Sequence, residues 1–317
     1  MDEEKNEEIL KNKKKKKKHF LYRVFNPERE GKDINEILSL PDTPTKCFKL
    51  IGKNITYMLY INLLLIFGNF PLMFGLFALS GNLNTPTTAA SSSMFGTLYG
   101  TMKFHTSPAN LALHGVHGVQ AQTSVPTTAT YIFFALTLLV IFTWGFVNTG
   151  VTYLMRSFMK GSPIFFFSDF FGAIKKNLKQ SFIIGLIDIL IIGLFIYDIS
   201  FFYLNGSQLF FVNIIILCLY VMMRYYMYLL LITFDLSTWK IIKNSLIFTL
   251  YGFKRNIVAF IGALLVIGVE YLLLSIYFPL GILFPFTVFF SVPMFFGAFA
   301  AYPKIYDVMI KPQEKNN

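Results

Sequence analysis

Six stretches of the chain are apolar for long enough to cross a bilayer. They run near residues 55–79, 131–155, 181–203, 209–231, 256–277 and 280–302, each longer than the roughly 20 residues that about 30 Å of hydrocarbon requires. Lipid offers no partner for an unpaired backbone N–H or C=O, so each stretch is predicted to be an α-helix. The connections alternate in character. Those near 205–208 and at Pro279 are tight and free of Lys and Arg, whereas 156–179 and 224–255 are longer and basic. The pattern predicts an all-α, polytopic membrane helical bundle of about six transmembrane helices.

Two basic connections carry a second, shorter periodicity. In SDFFGAIKKNLKQ, Ser168 or Asp169 can cap a helix on which Phe170, Phe171, Ile174 and Leu178 share a face, with Lys175, Lys176 and Lys179 turned to water and lipid phosphates. FDLSTWKIIKNSL, from Phe234, repeats this plan loosely, and each stretch precedes a two-span hairpin. The repeat is weak, its spacing off by one residue. Two interfacial amphipathic helices are therefore expected, with Lys254 and Arg255 at the head of the fifth span as further lipid-surface contacts. Residues 80–130 form a long loop of low charge whose apolar pieces, MFGTLYGTMKF and LALHGVHGV, suggest a compact cap over the external helix ends.

Charge then sets orientation. Of the 28 Lys and Arg, all but Lys103 fall in the leader, the two basic connections and the tail, which puts both termini in the cytoplasm by the positive-inside rule. The domain plan is a basic, flexible cytoplasmic leader (1–54) with a short pre-membrane helix, a six-helix membrane domain (55–310) containing the 80–130 external insertion, and a tail (311–317). Composition agrees: 55% of residues are hydrophobic and 14% charged, and mean hydropathy is +0.56, against about 25% charged residues in a soluble domain. KNKKKKKKHF is followed by no continuous apolar core, so the leader does not read as a secretory signal. The lysine run reads as a solvated tail or a contact for anionic lipid head groups rather than for nucleic acid. Cys47 and Cys218 read as two unpaired thiols.

The polar residues inside the spans are the candidates for chemistry. Asp188 in the third span and Arg224 in the fourth each lie 18 residues from Gly206 in the intervening turn, so antiparallel neighbours would hold them at one depth. A lone charge at mid-membrane costs about 2.5–3.5 kcal/mol on insertion scales, which pairing offsets. The pair reads either as a device fixing helix register or as a proton or ion site. Glu270 is deep in the fifth span, either hydrogen-bonded to a neighbouring helix or sharing a watery cavity with Asp188 and Arg224. Asp198 lies near the external interface, within reach of water. Pro285 and Pro293 are expected to kink the sixth span and free the carbonyls of Gly281 and Phe289; Pro71 is expected to kink the first. Gly297 and Ala301 form a small-residue notch. His114 and His117 have a spacing compatible with metal ligands, but the adjacent glycines and the absence of acids and cysteines from the loop argue against a metal. No Walker A loop, nucleophile elbow or H-E-x-x-H occurs, so neither an enzyme nor a cofactor is expected.

The run DFFGAIKKNLKQSFIIGLIDILIIGLFIYDISFF, with LLITFDLSTWKIIKNSLIFTL and GNFPLMFGLFALS, resembles the YesL-like bacterial integral membrane family, domain of unknown function 624. The resemblance implies a polytopic protein of the bacterial plasma membrane, commonly encoded near carbohydrate-uptake and polysaccharide-degradation genes, whose biochemical role is not established. It transfers no catalytic residues. The spacing from Pro71 to Gly75 is one residue shorter than the family's pattern, and residues 81–130 look like an insertion. The functional expectation is an accessory or assembly component of an envelope system associated with carbohydrate uptake, with a membrane transporter complex as partner. The alternative is a secondary transporter or channel using the intramembrane Asp, Glu and Arg.

Overall fold

A computed structural model describes residues 34–89 and 121–316. The lysine run, His114, His117 and the apolar pieces of the expected cap lie outside the described residues. Helix α1 (Ile34–Leu38) and α2 (Pro44–Lys53) precede the first apolar run. Pro44 opens α2, where a missing N–H costs nothing, and α2 buries Cys47, Leu50 and Ile51 while Lys49 and Lys53 face out. It meets α3 (Ile55–Gly68) at 83° and so lies across the basic side of the bundle. The first span is not one kinked helix. α3 stops at Gly68 and α4 (Pro71–Leu79) begins at Pro71, because proline cannot donate to the carbonyl four residues back and is accommodated at a helix start.

Strand β1 (Thr85–Ala89) pairs antiparallel with β2 (Ala121–Val125), Thr85 opposite Val125 and Ala89 opposite Ala121. The ladder lies within the 80–130 loop, and the membrane bundle is all-α, as expected. A capping box of Thr127 and Thr130 then opens α5 (Thr128–Thr137), and the same hydroxyls donate to Leu83 O at 2.8 Å and Asn84 Oδ1 at 2.9 Å, tying the two sides of the ladder's base together. α5 continues into α6 (Val140–Lys160), a 33-residue apolar span in all. Gly161, at φ +68°, supplies the left-handed residue that ends it.

The basic connection then folds as α7 (Phe166–Lys176). Its N-cap is Phe165 rather than Ser168 or Asp169; Asp169 instead accepts from Phe165 N at 2.8 Å, one turn back. Phe170 is buried against Gly150 of α6, and Phe171 and Leu178 are exposed. The hairpin α8 (Leu178–Leu204) and α9 (Leu209–Thr233) turns at Gly206. Arg156 closes the end of α9, Nη1 donating to Ile232 O at 2.8 Å and Thr233 Oγ1 at 3.0 Å, where the helix dipole favours a cation. The second segment expected at the interface folds as α10 (Thr238–Tyr251), followed by α11 (Phe253–Ile276).

The sixth span is broken, not kinked. α12 (Phe278–Leu283) runs into a 3-10 turn at Phe284–Phe286, and α13 (Ser291–Ile305) restarts after a 50° bend. Pro285 is in the 3-10 turn. Pro293 sits in the first turn of α13, where its N–H would have no intrahelical partner anyway; the proline inside that helix is Pro303. The break is sutured by Asn62 of α3, whose Nδ2 donates to Pro285 O at 2.7 Å and whose Oδ1 accepts from Phe290 N at 2.8 Å and Ser291 N at 3.2 Å. A π-helical turn (Tyr306–Ile310) and α14 (Lys311–Asn316) follow.

Four helices are each long and apolar enough to cross a membrane, and up to six if each of the two bent pairs counts as one span. The protein is a polytopic helical bundle. Its core is packed by Met58 and Ile61 of α3, Leu154 and Phe158 of α6, Tyr226 and Leu230 of α9, and Phe295 of α13. α8 and α11 stand outside these four and present apolar side chains such as Leu194, Ile196, Leu265 and Leu272 outward, as a surface facing acyl chains must.

Candidate functional site

Two glycines build the site. Gly145 of α6 and Gly185 of α8 touch where the helices cross. A Cβ on Gly145 would strike Ser181 O and one on Gly185 would strike the Gly145 backbone. Such close approach, typical of small residues between membrane helices, brings the indole of Trp144 beside Asp188, one turn further along α8. From the other side, α9 offers Tyr220, Arg224 and Tyr228, which share one face at i, i+4 and i+8.

All four side chains converge on the Asp188 carboxylate, which is 0% exposed. Trp144 Nε1 donates to Oδ2 at 2.7 Å, Tyr220 OH to Oδ1 at 2.7 Å, and Tyr228 OH to Oδ2 at 2.9 Å. Arg224 Nε donates to Oδ2 at 3.0 Å and lies 2.8 Å from Oδ1. The guanidinium also rests 5.5 Å from the centre of the Trp144 ring, a favourable cation–π placement. An ionised carboxylate has about four lone-pair positions, and four donors occupy them. A buried ion pair is tolerated when its remaining hydrogen-bonding capacity is met in this way. Chemically the arrangement can hold three helices in register; it leaves Asp188 no free face for a proton donor or an ion.

Beyond Arg224 lies a cavity of about 570 Å³ between α3, α4, α6, α9, α11 and α13. Its walls are mostly apolar, with Asn69, Trp144, Asn148 and Arg224 among the polar contributors, and Pro293 and Phe290 at the break in the sixth span. Gly297 and Ala301, expected as a notch, are buried on α13, and Gly297 receives the ring of Tyr225.

The other sequence candidates lie elsewhere. Glu270 is half-buried on α11, its Oε2 unpartnered among the described residues, and it does not line the cavity with Arg224. Asp198 is half-exposed near the far end of α8. Lys175, Lys176, Lys179 and Lys254 are exposed on the basic side, but Arg255 is turned inward: Nη2 donates to Phe299 O at 3.1 Å, the guanidinium lies 5.7 Å from the Phe299 ring centre, and Nη1 is 4.0 Å from Asp42. Its place at the head of a helix suggested a lipid contact, but the crossing of α11 and α13 puts a backbone carbonyl and a ring within its reach. Trp144, Tyr220 and Tyr228 were not among the candidates read from the sequence, because tryptophan and tyrosine are grouped with the hydrophobic residues.

Residues 125–199 match the family model described as "Protein of unknown function, DUF624". Over that segment the chain is similar to the DUF624, YesL-like family. No curated protein and no solved structure matches the chain. The DUF624 segment spans α5, α6, α7 and most of α8, so it contributes Gly145, Gly185, Trp144 and Asp188, while Tyr220, Arg224 and Tyr228 come from α9, beyond it.

Proposed function

We propose that this multi-pass membrane protein is a non-catalytic accessory or assembly component of an envelope system in the bacterial plasma membrane, associated with carbohydrate uptake and partnered by a membrane transporter complex. The observation that carries the reading is the Asp188 carboxylate, closed off from solvent and saturated by four donors. An intramembrane acid that relays protons or ions needs an open face and a route of access; one enclosed by donors from two neighbouring helices serves to fix those helices. The association with carbohydrate uptake follows from the family resemblance, an analogy rather than a property of the site. Anionic lipid is a natural companion of the exposed lysines on α7 and the start of α11. The experiment is mild-detergent purification from the native cell with chemical cross-linking before lysis. A stoichiometric permease subunit cross-linked to this chain is the expected result, and a protein recovered alone under both conditions counts against the reading.

A secondary transporter or channel is the second reading, favoured by the cavity that Arg224 and the broken sixth span share. Of the three intramembrane ionisable residues that reading invoked, Arg224 lines the cavity and Asp188 and Glu270 do not. Solute uptake into proteoliposomes, abolished by Arg224→Gln in protein that still folds, would decide for it.

A further inference from the structure

Among the cavity's polar residues outside the Asp188 cluster, Asn69 stands out by an unpartnered atom. Asn69 follows the last turn of α3; its Nδ2 donates to Leu65 O at 3.0 Å, but its Oδ1 is buried with no hydrogen-bond partner among the described residues, and the residue is only 7% exposed. A buried amide oxygen left unpaired is costly, and an apolar group of similar shape would avoid that cost. Across the same cavity, Arg224 spends Nε on Asp188, while neither terminal nitrogen donates to any described group. The cavity therefore has an unmet acceptor in its wall and unmet donors across from it, among mostly apolar side chains.

We propose that the cavity binds a membrane amphiphile with an uncharged, hydroxyl-bearing head, of the acylglycerol class, admitted sideways from the bilayer between α4 and α11. Its volume, about 570 Å³, falls within the roughly 300–1,000 Å³ of small-molecule sites. Its rim explains the route. Leu72, Met73 and Leu76 on α4 and Leu264 and Ile267 on α11 line the cavity and are also exposed, and in a spanning region an exposed apolar rim opens onto acyl chains. The head chemistry follows from the two polar sites. A hydroxyl is at once donor and acceptor, so hydroxyls can donate to Asn69 Oδ1 and accept from Arg224. An ionised carboxylate or a phosphodiester could satisfy Arg224 but has no proton of its own to donate to Asn69. Arg224 also arrives already neutralised by Asp188, which removes the net positive charge that would recruit an anion.

The test uses the full chain in phosphatidylcholine nanodiscs, a lipid without hydroxyl donors, with a diazirine-bearing monoacylglycerol as the probe. Saturable cross-links are expected in residues 69–76 and 260–267, and unlabelled monooleoylglycerol should compete at a concentration at least tenfold below that of oleate or methyl oleate. Asn69→Leu should weaken binding roughly five- to tenfold, the loss of one hydrogen bond. Leu264→Trp, on the exposed rim, should block labelling; it carries the test if Asn69→Leu does not fold, with a thermal melt reporting folding of each. Labelling that never saturates, or that is as strong around Leu194 on the outer face of α8, overturns the site. Equal competition by oleate or methyl oleate overturns the uncharged hydroxyl head. Undiminished binding by folded Asn69→Leu means that the amide oxygen takes no part in binding, and overturns the assignment.

Discussion

Gly145 and Gly185 stand backbone to backbone where α6 crosses α8, so close that neither position has room for a methyl group. Alanine at Gly145 should therefore cost about 1–3 kcal/mol through overpacking and loosen the contact of Trp144 with Asp188. Gly193 and Gly268 are internal controls, since a Cβ at either meets open space; alanine there should stabilise the helix by about 0.5–1 kcal/mol. Reversible unfolding in mixed micelles measures all three. Equal effects at Gly145 and Gly193 would remove the crossing from the argument.

Arg224→Ala should destabilise the protein by about 3–5 kcal/mol, because it strands a buried carboxylate. Replacing Asp188 with Leu and Arg224 with Met together should recover part of that loss. Recovery should stop short of wild type, since the hydroxyls of Tyr220 and Tyr228 and the indole N–H of Trp144 then lose their acceptor. A double variant no more stable than Arg224→Ala would show that the charges are not what couples α8 to α9.

Asn62→Leu should unpair Phe290 N, Ser291 N and Pro285 O together. The expected loss is about 2–4 kcal/mol, at 1–3 kcal/mol for a buried group left unsatisfied with partial relaxation. Hydrogen exchange gives the local readout: the amides of Phe290 and Ser291 should exchange faster, while those in the middle of α9 should change little. Unaltered protection at 290 and 291 would mean that the break is held by other contacts.

Burial pushes the Cys47 thiol up from 9.0 to about 12, a rise that the charge of Arg255 partly offsets. A raised acid stays protonated in the folded protein, and thiolate is the form that alkylates. In a Cys218→Ala background, Cys47 should resist iodoacetamide from pH 7 to 9 and react fully once the chain is unfolded in SDS. The stability associated with the buried neutral thiol should be complete below pH 9 and decline between pH 9 and about 12, as the unfolded chain ionises first. Rapid alkylation of the native protein at pH 8 would contradict the burial.

Much of the bundle was legible from hydropathy, because a run of 22 or more apolar residues has few alternatives to a helix in lipid. The equal spacing of Asp188 and Arg224 about Gly206 likewise pointed to a shared depth, since helices rise by a constant 1.5 Å per residue. Orientation around each helix axis was harder to read. Tyr220, Arg224 and Tyr228 recur at four-residue intervals, a signal that was present, but tyrosine and tryptophan read as apolar filler until an acceptor is placed opposite them. The broken sixth span was half visible: prolines marked the region, whereas the groups that mend it belong to Asn62, 223 residues from Pro285. Arg255 and Asn69 were illegible for a related reason. Whether a polar side chain at a helix end meets water, lipid or a carbonyl depends on which neighbour crosses there.

The β1–β2 ladder and the two threonine bonds at its base bring the chain back, at Val125, to where it left the bundle at Thr85. The two strands are thus tied together at the end nearest the helices, and the DUF624 match begins at that stitch. Such a stitch couples the loop to the bundle: a change that opens the ladder at Thr85 and Val125 is felt at once at Thr127 and so at the first turn of α5.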